Sequence, residues 1–496
     1  LGGGDKKMKN FFKEHDLFKI SILVILFTFV LTWIIPATDL SYGLGTTVYA
    51  RLGISDMMLS GVYTMNFFLQ QIFFLVVVGV FYGIISKTEG YKKLVFNIAQ
   101  KLKGKEIYFI LITSLVIAGF TSIVTNVYIL LVFIPFIISI ILNMKLDKLT
   151  AFLATFGSIL IGVLGATYGT EGLTSFISYL GYYNTASIES GVLVRFGILV
   201  LGYILFSYFT IAHVKSTLKV TDTKETKTKG KKEKEETEIE EKVEDRFLVE
   251  KATDKNAKTW PIILSFFIML VFVVLGYVNW NTFGITVFDR FHEWLLALKI
   301  GNFYIISEIL GGQSAAFGLW NLHHIAIVMG VVLIFIVLMY KGSLKDSITN
   351  AGDGIKKISK VIGIMILVYV LFTFMYWSPI ASTIVDWITK GSESFNPFLN
   401  AIAGIVTGFF YNDFGYTSYA IGTLFTNYSA AEITNSVTIF SSMNGIMSII
   451  SPTSAILMVG LAYLDIPFKK WVKYIWKFVV GMLVCLFVIF ALLSYL

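Results

Sequence analysis

SSMNGIMSIISPTS, residues 441–454, decides how the chain is read. It lies in an apolar run from Leu399 to Leu464 that is broken by Tyr411-Asn412-Asp413-Phe414-Gly415, by Asn444-Gly445 and by Ser451-Pro452-Thr453-Ser454. Helix-breaking polar residues persist at membrane depth only where protein or a water-filled cavity satisfies the freed backbone groups. Such breaks are expected at a transport site.

The 496 residues are 56% hydrophobic and 16% aromatic but only 15% charged, against roughly 25% charged in soluble domains. Together with a mean hydropathy of +0.76, this identifies a polytopic membrane protein. The formal charge of +8 comes from lysines in loops beside apolar runs, which the positive-inside rule explains without a nucleic-acid partner. Only four arginines occur, Arg51, Arg195, Arg246 and Arg290. The single cysteine, Cys485, cannot form an intrachain disulfide. Leu1–Lys7, LGGGDKK, reads as a cloning remnant and is set aside.

Residues 18–36 form the first run near the ~20 residues needed to cross the hydrocarbon core. The lysines before it place the N-terminus in the cytoplasm. Residues 37–64 are then expected outside, and a span over 65–85 returns to a lysine-rich loop. The apolar segment 107–142 is too short for two ordinary spans and a loop, and both of its flanks are basic. It is read as a re-entrant hairpin tipped by residues 119–126; two short helices crossing outright fit the charge rule equally well. Residues 149–179, interrupted at 165–172, form a broken helix, and 192–213 form a span. The charge-rich tract 215–258 is a solvated cytoplasmic linker, disordered or loosely helical.

Beyond the linker, spans are expected over 260–278, 322–340 and 361–377, with an external segment at 279–321. A second hairpin over 398–425, a broken helix over 433–464 and a last span over 474–496 place the C-terminus outside. Nine full spans and two hairpins result. Residues 65–214 and 361–496 carry the same order of elements with every direction reversed, which is the inverted-repeat architecture of secondary transporters. Residues 8–64 and 259–360 supply the remaining scaffold.

Four stretches carry a family resemblance: LTWIIPA (31–37), FYGIISKTEGYKK (81–93), NAGDGIKKISKVIGI (350–364) and ISPTSAILMVGLAYLDIPFKKWVKYIWKF (450–478). On these the chain resembles the YfcC-type carriers, grouped with anaerobic four-carbon-dicarboxylate carriers in the wider ion transporter superfamily. The resemblance implies an all-α, inverted-repeat, elevator-type transporter, commonly a homodimer in the bacterial plasma membrane, coupled to Na+ or H+. Substrates implied are small carboxylates, amino acids or related metabolites. The chain departs from that pattern at FFYNDFGYTS (409–418), bulky and acidic where small residues are usual. It departs again at the first tip, where Thr121, Ser122, Thr125 and Asn126 replace an acidic pair.

Hairpin tips and helix breaks aim backbone amides at the midplane, where the positive dipole end favours a carboxylate, while carbonyl, hydroxyl and amide oxygens suit Na+. Candidate substrate and ion ligands are Thr121, Ser122, Thr125, Asn126, Thr167 and Thr170 in the first half. In the second they are Asn412, Asp413, Thr417, Ser418, Asn444, Ser448, Ser451, Thr453 and Ser454. Na+ is expected through Asn126, Thr167, Asn444 and Thr453. For any one hydroxyl the bland alternative is a bond to its own helix backbone.

Asp413 would bind a proton, help hold Na+, or pair with a cationic substrate group, unless a shorter hairpin leaves it in external water. A slight shift of the first broken helix would likewise put Glu171 outside. With no Lys or Arg placed near the midplane, the sequence favours an amino acid, basic ones included, over a dicarboxylate or short-chain carboxylate. An ion channel would need a continuous polar pore, and an enzyme a cluster of His, Asp or Glu at one face; neither pattern is present, and no cofactor is expected.

Overall fold

The computed structural model describes residues 16–37, 51–169, 171–180, 187–229, 247–311, 314–390, 394–411, 414–421 and 428–493. In chain order the helices are α1 (Asp16–Ile34), α2 (Ile54–Ile85), α3 (Glu89–Lys101), α4 (Glu106–Ile123), α5 (Ile134–Asn143), α6 (Lys148–Leu164), α7 (Glu171–Leu180), α8 (Val192–Lys229) and α9 (Trp260–Tyr277). They continue as α10 (Val287–Ala297), α11 (Ile305–Leu310), α12 (Leu322–Met339), α13 (Leu344–Trp377), α14 (Ile380–Thr389) and α15 (Pro397–Phe410). The last four are α16 (Phe414–Ile421), α17 (Ala430–Ile450), α18 (Ala455–Tyr463) and α19 (Phe468–Leu493). A two-residue antiparallel ladder, β1 (Lys299–Ile300) with β2 (Phe303–Tyr304), lies between α10 and α11.

Among the described residues nine helical segments are long and apolar enough to cross a bilayer: α1, α2, α4, α8 to Lys219, α9, α12, α13, α17 with α18, and α19. The number equals the sequence count but the membership differs. α4, one arm of the first hairpin, has 18 residues and reaches ~27 Å at 1.5 Å per residue. Residues 148–179 instead divide at Gly165 into α6 and α7.

Two helices start well before their apolar runs. α2 begins at Ile54 rather than 65, with Asp56 accepting from Gly53 N at 2.7 Å. α13 begins at Leu344 rather than 361, capped by Ser343, whose hydroxyl accepts from Asp346 N at 3.0 Å. Hydropathy marks where lipid begins; capping and propensity mark where a helix begins. The charged tract after 214 likewise continues α8 as helix to Lys229. Its far end is held against α3, where Glu89 accepts from Thr253 N at 2.6 Å and Lys93 Nζ donates to Lys255 O at 2.6 Å.

α2 and α13 run antiparallel through the centre. Thr64 Oγ1 lies 2.8 Å from Thr373 Oγ1, and Phe68, at a non-helical kink inside α2, stacks on Tyr369 at 3.8 Å. Farther along, Gly79 and Gly83 meet Gly354, and a Cβ on any of the three would collide with the opposing backbone or with Ile358. Small residues let backbones touch where dispersion replaces the hydrophobic drive.

The element order repeats. A long helix (α2, α13), a short amphipathic helix (α3, α14), a hairpin (α4–α5, α15–α16), an interrupted helix (α6–α7, α17–α18) and a closing helix (α8, α19) follow one another in each half. In both halves the first hairpin arm packs on the first piece of the interrupted helix, α4 on α6 and α15 on α17.

Candidate substrate and ion site

α6 ends at Leu164, and beyond it Gly165 packs against the backbone of Leu199 and Gly169 against Ile123 and Val124, with no room for side chains. Thr167 N and Gly169 N both donate to Ser122 O, at 2.9 and 3.0 Å. Thr167 Oγ1 stands 3.0 Å from the same oxygen. The tip of the first hairpin is thereby joined to the first break.

The second break is built the same way. Pro452 has no N–H to offer and keeps Ser451 extended (φ −78, ψ 135), which ends α17 at Ile450. Thr453 Oγ1 donates to Phe409 O at 2.5 Å and lies 2.7 Å from Ser451 Oγ. Thr167 and Thr453 each stand three residues past the last helical residue, and Ser122 and Phe409 are each next to last in a hairpin arm. The two junctions meet back to back: Gly445 abuts the Leu164 backbone, and Phe176 of α7 stacks on Phe414 of α16 at 4.5 Å.

Between them is a cavity of about 100 Å³ lined by Gln71 from α2, Thr125 to Tyr128 from the first tip, Leu160, Val163, Gly172, Tyr369 from α13, Phe414, Asn444 and Ser448 from α17, and Ser454 to Ile456 at the start of α18. This is several times the ~10–15 Å³ that admits a single water. No described lining residue carries a formal charge. Hydroxyl and amide groups converge from both halves. Tyr128 and Tyr369 bring their hydroxyls within 2.7 Å across the wall, and Gln71 Oε1 is buried with no hydrogen-bond partner. The first tip is anchored by Thr125 N donating to Tyr277 O at 3.1 Å and by a bridge between Val124 and Val278.

Of the residues singled out from sequence, Thr125, Asn126, Asn444, Ser448 and Ser454 line the cavity. Asn126 Oδ1 accepts from Tyr128 N at 3.1 Å, and Asn444 Nδ2 reaches Tyr411 O at 3.4 Å. Ser448 donates to Asn444 O within its own helix, the bland alternative. Ser122, Thr167, Ser451 and Thr453 form the two junctions behind it. Thr121 and Thr417 are buried elsewhere, their hydroxyls without partners. Thr170, Asn412 and Asp413 lie outside the described residues, as does the side chain of Ser418.

Sequence reasoning missed four residues. Gln71 had a signal, a Gln pair inside an apolar span; Tyr128 and Tyr369 had none among 25 tyrosines. Arg195, at the start of α8, reaches the first break. It is 1% exposed, and its Nε and Nη2 donate to Ala166 O and Thr167 O at 3.0 and 2.9 Å.

The family of C4-dicarboxylate anaerobic carriers, DcuC, matches residues 15–495. The chain belongs to this family. Membership makes it a membrane transporter rather than an enzyme. No curated protein matches the DcuC-family chain. Among solved structures it is similar to the YdaH transporter of Alcanivorax borkumensis, described as having an unusual topology. The identity is 11%, over 94% of this chain and 96% of that one, with a TM-score of 0.38.

Proposed function

We propose that the protein is a secondary active carrier of a four-carbon dicarboxylate or a closely similar small carboxylate, on the YfcC-type branch of its family. The observation that carries this reading is the cavity between the two tip-and-break junctions, lined by amides, hydroxyls and the start of α18. Backbone N–H groups at a helix start, with the positive end of its dipole, favour a carboxylate without a lining cation. The amino-acid reading leaned on Asp413, which lies outside the described residues, and on the absence of Lys or Arg near the midplane; the match to the C4-dicarboxylate carrier family favours the dicarboxylate.

The antiparallel α2–α13 pair and the repeated element order support two inverted repeats, residues 65–214 and 361–496. In an elevator mechanism the hairpins and broken helices would move against the glycine-packed α2–α13 frame, driven by Na+ or H+. The lysine distribution supports a cytoplasmic N-terminus and an external C-terminus in a bacterial plasma membrane, and the resemblance supports a homodimer.

The test is counterflow in proteoliposomes. Labelled succinate should exchange against internal succinate, fumarate or malate, in Na+ or in choline across a pH gradient, while labelled arginine and serine report on the amino-acid alternative. Saturable exchange of dicarboxylate is expected. Arginine exchange without dicarboxylate exchange, or flux no greater than in empty vesicles, would sink the reading.

A further inference from the structure

Arg195 sits in the first turn of α8 and is the largest charged group buried in the described structure. Its guanidinium donates to four carbonyls: Ala166 and Thr167 in the break, Ser190 through Nη1 at 2.7 Å and Ile188 through Nη2 at 2.5 Å. No carboxylate among the described side chains pairs with it. Gly191, at φ +71, turns the chain beneath it, and a Cβ there would press on Thr438 Oγ1 and approach Arg195 Nη1. A buried cation held only by carbonyl oxygens is coordinated as a monovalent metal ion would be, at the carbonyl end of α6, where the helix dipole is negative.

The second half differs at the matching place. Trp471 stands three residues into α19, as Arg195 stands three residues into α8. It too is fully buried and reaches back to its broken helix, Nε1 donating to Ile449 O at 2.8 Å. But indole is neutral and takes one carbonyl. The counterparts of Ala166 O and Thr167 O are Pro452 O and Thr453 O, and neither accepts a hydrogen bond from a described residue. One junction therefore carries a buried positive charge, whereas at its twin the two carbonyls accept from no described residue.

We propose that Arg195 is a resident cation of the first junction. It fills the carbonyl cage that a transported monovalent ion would otherwise enter, so the first half closes on substrate without an ion and any cation coupling is confined to the second junction. The inference rests on the carrier reading above and deepens it. Arg195 is a positioning residue: its charge fixes Ala166 and Thr167, and through Thr167 the Ser122 end of the hairpin tip.

The test compares wild type with Arg195→Ala, Arg195→Gln and Arg195→Lys in the full chain. The first readout is the thermal unfolding midpoint of purified, monodisperse protein as choline chloride is replaced by NaCl, or supplemented with low-millimolar guanidinium, at constant ionic strength. It needs no substrate, so it remains decisive even if dicarboxylate counterflow fails. Arg195→Ala and Arg195→Gln should melt below wild type in choline and gain a saturable rise with Na+ or guanidinium, beyond any rise in wild type, as a ligand that binds only the folded state produces. Arg195→Lys, which keeps the charge, should respond as wild type does.

The second readout is counterflow, once wild type is shown to exchange. Arg195→Ala should lose about tenfold or more in choline, as the competent population falls, and recover with guanidinium or Na+. If Arg195→Gln matches wild type in both readouts, the residue is only a hydrogen-bond donor and the proposal is overturned. The same follows if Arg195→Ala is folded but gains nothing from either cation. Should the neutral variants not accumulate, Arg195→Lys decides: a Na+-dependent rise exceeding that of wild type overturns the proposal, and its absence supports it.

Discussion

Thr453 donates its hydroxyl hydrogen to the carbonyl of Phe409 at 2.5 Å, across 44 residues of chain. The bond ties the second broken helix to the second hairpin, as Thr167 ties the first break to Ser122. Thr453→Val keeps the shape and leaves a buried carbonyl with a weaker set of partners, at a cost of ~1–3 kcal/mol. Counterflow should fall about tenfold or more, whereas Thr453→Ser should stay near wild type. Equal activity of the valine and serine variants would show that the junction does not need this bond.

Gln71 reaches the cavity from α2, its Oε1 buried and unpartnered. Gln71→Glu places a negative charge facing a dianionic substrate and should raise the half-saturating concentration for succinate by about tenfold or more, since like charges disfavour one another in a low-dielectric site. Gln71→Leu should weaken binding less, by ~1 kcal/mol. Competition binding by isothermal calorimetry checks both; unchanged affinity in the glutamate variant would remove Gln71 from the site.

Gly354→Ala drives a methyl into Gly79 O and the Gly83 backbone. Overpacking costs ~1–3 kcal/mol or more where backbone faces backbone, so the unfolding midpoint should drop by several degrees. Gly352→Ala, two residues away with nothing within 4 Å of the added methyl, should not lower it.

Asp147 caps the start of α6, outside the spans. Burial opposes its ionisation, but hydrogen bonds from His213, whose Nε2 is 3.1 Å from both carboxylate oxygens, and from Thr150 outweigh it and hold its carboxyl at about 2. The folded pKa lies below the unfolded one of ~3.9, so the stabilisation is fully present above that value and is lost as pH falls through about 2. Asp147→Asn should melt lower than wild type at pH 5, with the gap narrowing as the pH is brought from 4 towards 2. A gap independent of pH over that range would show that the charge contributes nothing.

The broken helices were legible because Pro452 lacks the N–H a helical bond needs, and because the glycines 165 and 169 each cost ~1 kcal/mol in a helix interior and stand among polar residues. The early starts of α2 and α13 were not, because Asp56, Ser343 and the lysines of 345–360 lower hydropathy without interrupting helical hydrogen bonding. Tyr128 and Tyr369 meet only because α13 passes the first hairpin, a relation between residues 241 apart in the chain. Arg195, three residues into a span, has the sequence appearance of a side chain that snorkels to the surface. Its inward turn depends on the carbonyls freed at a break some 28 residues earlier.

The glycine contact between α2 and α13 also sets a schedule for biogenesis. Gly79 leaves the ribosome some 275 residues before Gly354, the surface it fits. At ~5–20 residues per second this is a wait of roughly 15–55 s. Through that interval α2 stands in the bilayer with its small-residue face covered only by lipid or by a chaperone. The central frame of the molecule is completed late in synthesis, so truncations before residue 344 should yield a first half that inserts but does not lock.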